Sequence, residues 1–327
     1  MKMIDLSTRY LGLNLRNPII VGSSGLTDSV EKIQKIEEAG AGAVVLKSIF
    51  EEEILFEYDA VIKEAETDGV NLEQFDYFDF HLRGKKLNGY IDLIQGAKAK
   101  TSIPIIASIN CVYSYEWIDF AKRIEAAGAD AIELNMFFLP SDFKRSSRKQ
   151  DDMYFEIVEK LVSTISIPIS LKISYYFSNL GHMIQRLSKS GISGIVLFNR
   201  FFSPDIDIDK LEIKPSFVFS APSDLAQSLR WIAIMSQRVQ CDLAASSGIH
   251  DGESVIKQIL AGAQAVQMVS ALYKKKIAYI KDVIETLETW MKAHKYNTLQ
   301  DFRGKLSQAK ADDPAVYERM QFMKYFT

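Results

Sequence analysis

Two kinds of apolar segment alternate along the chain. One recurs as EEAGAGAVVLKS (37–48), EAAGADAIELN (125–135), KSGISGIVLFN (189–199) and LAGAQAVQMVS (260–270). Each has the end of a helix, a glycine stop, and then an apolar strand, with small residues that let the chain turn tightly into a sheet. The other recurs as NPIIVGSS (17–24), SIPIIASIN (102–110), SIPISLKIS (166–174) and CDLAASSG (241–248), short apolar runs a few residues ahead of a helical segment. Continuous apolar strands separated by amphipathic helices describe a parallel sheet buried on both faces. The helices agree: Trp117, Phe120, Ala121 and Ile124 fall at helical spacing, as do Ile280, Val283, Ile284, Leu287 and Met291. Asp28, with Glu31 three residues on, predicts a capping box that opens the first helix.

Alternating the two phrases gives eight strands, each followed by a helix, which is the number that closes a (β/α)8 TIM barrel. An open doubly wound sheet is the alternative; the even spacing and the lack of G-x-G-x-x-G after the first strand favour the barrel. A barrel needs about 250 residues, and the chain has 327. The surplus falls in an aromatic insertion after the second strand (51–89) and a C-terminal extension (296–327), all within one domain spanning 1–327. Residues 1–16 predict a short strand pair covering the barrel's bottom.

Composition narrows the function. A formal net charge of −3 gives no electrostatic reason to expect nucleic acid. Two cysteines, Cys111 and Cys241, cannot build a disulfide framework, so a reducing compartment is expected. Neither a signal-peptide core nor an apolar run of membrane length is present. A cytoplasmic protein is the expectation. No metal-ligand spacing such as H-E-x-x-H or paired C-x-x-C occurs, so no metal is expected.

In such a barrel, chemistry gathers at the C-terminal ends of the strands. Those positions are Ser23, Ser24 and Gly25 for the first strand, Lys47 and Ser48 for the second, and Asn110 and Asn135 for the third and fourth. The fifth brings Lys172 and Ser174, the sixth Asn199 and Arg200, the seventh Ser246, Ser247 and Gly248, the eighth Val269 and Ser270. Lys47 and Lys172 fall within apolar strands, where an unpaired ammonium is costly. Either something anionic lies between them or they form structural ion pairs. Small residues and a helix start after strands seven and eight are the usual phosphate grip of this fold, although tight turns also favour Ser and Gly.

These segments resemble the flavin-dependent dihydroorotate dehydrogenases, especially the soluble class. The resemblance is carried by LSTRYLGLNLRNPIIVGSSG (6–25), LKS (46–48), IPIIASIN (103–110), AGADAIELN (127–135), SIPISLKIS (166–174), SGISGIVLFNRFFSPDIDID (190–209), GIHDGESVIKQILAGAQAVQMVSAL (248–272) and DFRGKL (301–306). It implies an FMN in the mouth, hydride transfer with a small dihydroorotate-like substrate, a place in pyrimidine biosynthesis, and a homodimer. Ser24 and Gly25 match the loop beneath the flavin ring, and Ser48, Asn110, Asn135 and Asn199 its polar surroundings. Lys47 and Lys172 match the flavin-facing lysines, and Ser247, Gly248, Ser270 and Ala271 the phosphate grip. Lys47, Asn135 and Asn199 are the catalytic candidates. Val269 stands where a glycine is usual.

The resemblance fails at AIELNMFFLP (131–140). Soluble members follow this asparagine with Ser-Cys-Pro-Asn, whose cysteine is the base; here Phe137, Phe138, Leu139 and Pro140 occupy those places. The substrate loop expected after the second strand is replaced by the aromatic insertion, and Arg200 replaces a small hydroxyl residue. Substitute bases are His81, Tyr113, Ser141 and Cys111, with His81 the best chemically; buried filler is the plainer account of Cys111. Residues 140–150 read as a loop over the substrate or a solvated surface loop. Arg200 would pair with a substrate carboxylate or with Asp205 or Asp207. His250 would cap the strand-seven loop, and Cys241 is structural. Other readings are an FMN oxidoreductase for a different unsaturated acid, a non-catalytic flavin-binding partner protein, and a phosphate-handling barrel without flavin.

Overall fold

The computed structural model describes residues 4–50, 75–110, 117–136, 138–216 and 218–319; for Phe50, residues 75–86, Trp117 and Asp119 it describes the backbone alone. The chain opens with an antiparallel pair, β1 (Thr8–Tyr10) and β2 (Leu13–Leu15), joined by a tight turn at Leu11 and Gly12, both with positive φ. There follow β3 (Ile19–Val21), α1 (Val30–Glu38), β4 (Ala43–Val45), a two-residue β5 (Ile49–Phe50) and α2 (Phe75–Lys100). Next come β6 (Ile105–Asn110), α3 (Trp117–Ala126), β7 (Ala131–Met136), α4 (Ser147–Val162), β8 (Ile169–Ile173), α5 (Leu180–Leu187) and β9 (Gly194–Leu197). A hairpin of β10 (Ser203–Asp207) and β11 (Glu212–Ser216) precedes α6 (Leu225–Met235) and β12 (Asp242–Ser246). The last elements are α7 (Gly252–Ala261), β13 (Ala265–Met268), α8 (Ser270–Lys275) and α9 (Ile280–Ala293).

The parallel strands run in the order β4-β3-β13-β12-β9-β8-β7-β6, and β4 pairs with β6 to close the ring. This is the (β/α)8 barrel that the alternating phrases predict, and it excludes the open sheet. β6, β7 and β8 are buried along their whole length, which explains why they read as unbroken apolar runs. The strand pair lies where the sequence places it. Tyr10, Leu11 and Leu15 pack against Ile20, Val45, Ile106, Val196 and Ala265, forming a separate core cluster inside the barrel's lower end. Leu11 N–H donates to Asp242 Oδ2 at 2.8 Å, and Arg303 donates to Thr8 Oγ1 at 2.6 Å, tying the plug to β12 and to the C-terminal segment.

One expectation needs correction. The cap of α1 is Ser29, whose side chain accepts from Lys32 N–H; Asp28 instead forms an ion pair with the Lys32 ammonium at 2.7 Å. A serine hydroxyl one residue nearer the helix takes the N3 amide, so the carboxylate is left for the lysine. Helix α2 begins at Phe75, inside the 51–89 insertion, and its Leu87, Tyr90 and Ile94 are buried against the barrel.

The plug makes the lower core sensitive to truncation. Leu11→Ala removes a fully buried side chain between the strand pair and the sheet, and is expected to lower stability by about 2–5 kcal/mol. The urea-unfolding midpoint measures this loss.

Candidate functional site

At the upper end of the barrel the polar positions meet in a connected ring. Strand register puts Asn110 beside Asn135 and Asn135 beside Lys172. Ser48 is the hub: its Oγ lies 2.7 Å from Ser108 Oγ and 3.0 Å from Ser23 Oγ, and it accepts from Asn135 Nδ2 at 2.7 Å. Asn135 Nδ2 donates also to Ser108 Oγ at 3.0 Å, and Asn199 Nδ2 reaches Asn135 Oδ1 at 3.5 Å. The Asn135 amide is thereby held in one orientation by Ser48 just past β4, Ser108 of β6 and Asn199 just past β9. Tyr90 of α2 braces the ring from outside: Ser108 N–H donates to its phenol oxygen at 2.7 Å, and the phenol donates back to Ser108 C=O at 3.2 Å. Burial raises the Tyr90 pKa well above its ordinary value, so the phenol remains a neutral donor.

The two lysines differ. Lys172 is buried in β8 and donates to Gln267 Oε1 of β13 at 2.7 Å; Glu133 Oε1 of β7 lies 3.6 Å from the same ammonium. Gln267 Nε2 donates to Glu133 Oε2, so the amide bridges lysine and carboxylate. The anion expected near Lys172 is thus supplied by the chain itself. Lys47 lies just beyond β4 and is exposed, with its backbone N–H on Thr27 C=O and no ammonium partner among the described residues. It is outside the strand in which the sequence placed it, and solvent removes the cost of its charge.

The loops after β12 and β13 form the third part. Ser247 and Gly248 both have positive φ, and a Cβ on Gly248 would fall 2.0 Å from Leu225 N. Gly248, Ser247, Ser246, Ser270, Val269, Ser220, Asn199, Gln267 and Lys172 are among the walls of a cavity of about 190 Å³. Val269 takes its space from Gly22, where a Cβ would lie 2.9 Å from the valine Cγ2. Ala271 is buried in α8 behind this wall. Ser24 and Gly25 form the turn after β3: Leu26 N–H donates to Ser24 Oγ, and a Cβ on Gly25 would meet the Tyr273 hydroxyl at 2.8 Å. Ser220, which the sequence reading missed, covers the cavity. Its N–H donates to Ser270 Oγ at 2.9 Å, and its hydroxyl lies 3.0 Å from His250 Nε2. His250 therefore holds this cover and does not cap the strand-seven loop. Burial, and then the neighbouring Lys274 charge, hold the imidazole pKa below its ordinary value of 6.5.

Beside this cavity is a larger one of about 510 Å³, with Phe198, Asn199, Arg200, Ser246 and Ser247 common to both. Tyr175, Tyr176, Phe201 and Phe202 give it an aromatic wall. Arg200 forms an ion pair with Asp224 at 3.6 Å and donates to Val218 C=O at 3.3 Å. Asp224, at the start of α6, is thus the partner in place of Asp205 or Asp207, and Asp207 faces Lys214 at 3.8 Å. Phe138, at the position of the family's base, stacks edge-on against Tyr154 at 5.1 Å, and Tyr154 meets Phe177 at 5.2 Å. Its ring belongs to the packing of α4 on the barrel. Ser141 is exposed, and α4 begins at Ser147, so only part of 140–150 is loop. Cys241 is half-buried before β12, with burial pushing its thiol pKa up to about 12. Phe137, Cys111 and Tyr113, and the side chain of His81, lie outside the described residues.

The family model for dihydroorotate dehydrogenase matches residues 5–291. The chain belongs to the dihydroorotate dehydrogenase family. It is 26% identical over 314 residues to a dihydroorotate dehydrogenase B (NAD(+)) catalytic subunit of Thermoplasma acidophilum, covering 92% of this chain and 99% of the relative. It is 22% identical over 308 residues to the corresponding subunit of Methanocaldococcus jannaschii, covering 91% and 97%. A chloroplastic dihydropyrimidine dehydrogenase (NADP(+)) of Arabidopsis thaliana is 22% identical over 336 residues, covering 92% of this chain and 76% of that one. In this family member the sequence reading did not single out Glu133, Gln267, Ser108 or Tyr90 for the site. The signal for Glu133 was present as a charge two residues before Asn135 inside an otherwise apolar strand.

Among the described residues no helix is long and apolar enough to cross a membrane. No group of three or more His, Cys, Asp or Glu among them could hold a metal ion.

Because the folded protein holds the His250 imidazole pKa below its ordinary value of 6.5, its contribution to stability is full above that value. It is lost as pH falls through the window below it. Urea midpoints measured from pH 8 to pH 5 are expected to fall less steeply in His250→Gln than in the parent chain.

Proposed function

We propose that the protein is an FMN-dependent oxidoreductase acting on a CH–CH bond of a small, dihydroorotate-like substrate. The observation that carries this reading is the juxtaposition, at one mouth, of the Gly248–Ser270 cavity, the buried Lys172 and the ordered Asn135 amide. The residues suit FMN. Gly248, at positive φ and seated against the Leu225 backbone, puts no side chain on a loop whose backbone N–H groups could meet a phosphate, with Ser247, Ser270 and Ala271 completing its surroundings. Ser24 and Gly25 would lie under the ring, with Ser48, Asn110, Asn135 and Asn199 as its polar neighbours. Lys47 and Lys172 supply positive charge on two sides of the mouth. FMN, when bound, supplies the two-electron acceptor for a substrate hydride.

The chain's own part is to bind, orient and exclude. Lys47, whose ammonium is not paired within the described chain, is free to meet a substrate carboxylate or the ring edge. Asn135 and Asn199, coupled through their amides, would align the substrate's polar edge in one direction. The aromatic wall beside Arg200 excludes water from one side. Phe138 holds no proton, and His81 is the proposed substitute base.

A second reading, an FMN oxidoreductase for a different unsaturated acid, is favoured by Phe138 and Arg200 replacing the family's polar substrate contacts. An anaerobic absorbance spectrum of the FMN-loaded protein, before and after dihydroorotate, separates the two. Bleaching of the flavin band supports the first reading; an unchanged band that bleaches with another unsaturated acid's reduced form supports the second. Gly248→Ala adds a side chain at positive φ against Leu225, a strain of about 1–3 kcal/mol. It is expected to weaken FMN binding at least about tenfold, as read by flavin fluorescence titration.

We also infer a homodimer. The β10–β11 hairpin carries Ile206 directly opposite Ile213, and Ile206, Ile208, Leu211 and Ile213 are all exposed. An isolated hairpin with such side chains in water is poorly supported unless another surface covers it. Ile206→Asp with Ile213→Asp is expected to shift the protein from dimer to monomer in sedimentation or light scattering.

A further inference from the structure

A buried carboxylate stands directly behind the lysine that the proposed function sets against the cofactor. Glu133 is 1% exposed, and its two oxygens have different partners. Oε2 accepts from Gln267 Nε2, whereas among the described residues Oε1 receives no hydrogen bond and has the Lys172 ammonium 3.6 Å away. Lys172 gives one N–H to Gln267 Oε1 at 2.7 Å and lines the 190 Å³ cavity. The ammonium is therefore shared between a fixed anion below it and whatever fills the cavity above it.

A role in stability alone accounts poorly for this arrangement. Withdrawing both charges from water costs several kcal/mol per ion in effective terms, and an apolar trio of similar volume is often as stable or more so. Leaving Oε1 without a hydrogen bond makes the carboxylate depend on the lysine charge even more. What the trio does achieve is orientation. The Gln267 amide turns its oxygen to the lysine and its nitrogen to the carboxylate, which fixes Nζ at the foot of the cavity.

We propose that Glu133 is a positioning residue that, through Lys172 and Gln267, sets the reduction potential of bound FMN. This rests on the FMN reading above and adds a residue to it. A full positive charge beside the cofactor favours the negative charge gained on reduction. Glu133 cancels part of that field at short range, where the surroundings screen it weakly. The lysine still binds and orients, but the cofactor is held at a lower potential and passes its electrons on more readily. Swinging the ammonium upward to increase its pull would abandon a buried carboxylate, and that cost keeps it in place.

The test compares full-length, FMN-loaded parent protein with Glu133→Gln, which removes the charge at constant shape, and Glu133→Asp, which keeps it one methylene further away. Each is equilibrated anaerobically with a redox dye of known potential, and flavin and dye are read by absorbance; FMN content is measured on the same samples. Glu133→Gln is expected to shift the equilibrium at least tenfold towards reduced flavin, which is about 30 mV for two electrons. Glu133→Asp is expected to shift it the same way by less, and it decides the matter if the glutamine variant does not fold. Full FMN content with an unchanged dye equilibrium would overturn the role of Glu133 while leaving the cofactor reading intact. Failure of the parent protein to bind FMN would overturn both.

Discussion

Closing eight parallel strands into a ring makes the interior of the barrel a place with almost no water, yet β7 sends a carboxylate into it. The rest of the mouth depends on how that charge is satisfied. Glu133 is tolerable because β8 brings Lys172 to 3.6 Å and β13 brings Gln267 between them. Those three strands must therefore keep their register, since slipping one by a residue would turn its side chain out of the interior. The polar trio pins the same strands that carry Asn135 on one side and the Ser270 loop on the other.

Above the trio, the mouth is ordered before any small molecule arrives. The serine–asparagine ring uses the hydroxyls of Ser48 and Ser108 to hold one amide, and Tyr90 fixes Ser108 from the helical layer. Preorganisation of this kind reduces what binding must spend on ordering side chains. The aromatic replacements act differently. Phe138 leaves the mouth and joins the packing of Tyr154 and Phe177, so losing the family's base residue did not leave a hole. Arg200 pairs with Asp224 and lines both cavities.

How much of this was legible in the sequence follows from range. The barrel was legible because each strand and helix writes its period locally, and the glycine stops repeat at every second turn into the sheet. The strand pair was legible from its apolar residues, although its role as a plug needs Tyr10 to reach β6 and β9. Lys172 stood out as a charge in an apolar run, but its partners lie 39 residues before and 95 after it. No local pattern announces such a pairing. The cap of α1 shows the limit at short range, where two adjacent residues, Asp28 and Ser29, could each serve, and hydrogen-bond geometry chose between them. His250 misled for a similar reason: its partner Ser220 comes from a loop 30 residues earlier, beyond the hairpin.

The strand pair at the lower end has one more effect. With Tyr10, Leu11 and Leu15 filling that end without exposure, the barrel is a cup and not a passage. Among the described residues, a molecule that descends to Lys172 meets a closed lower end and leaves the way it came in. Two reactants that both need that floor must queue, the first departing before the second can enter, and the order of events is imposed by a wall some distance from any chemistry.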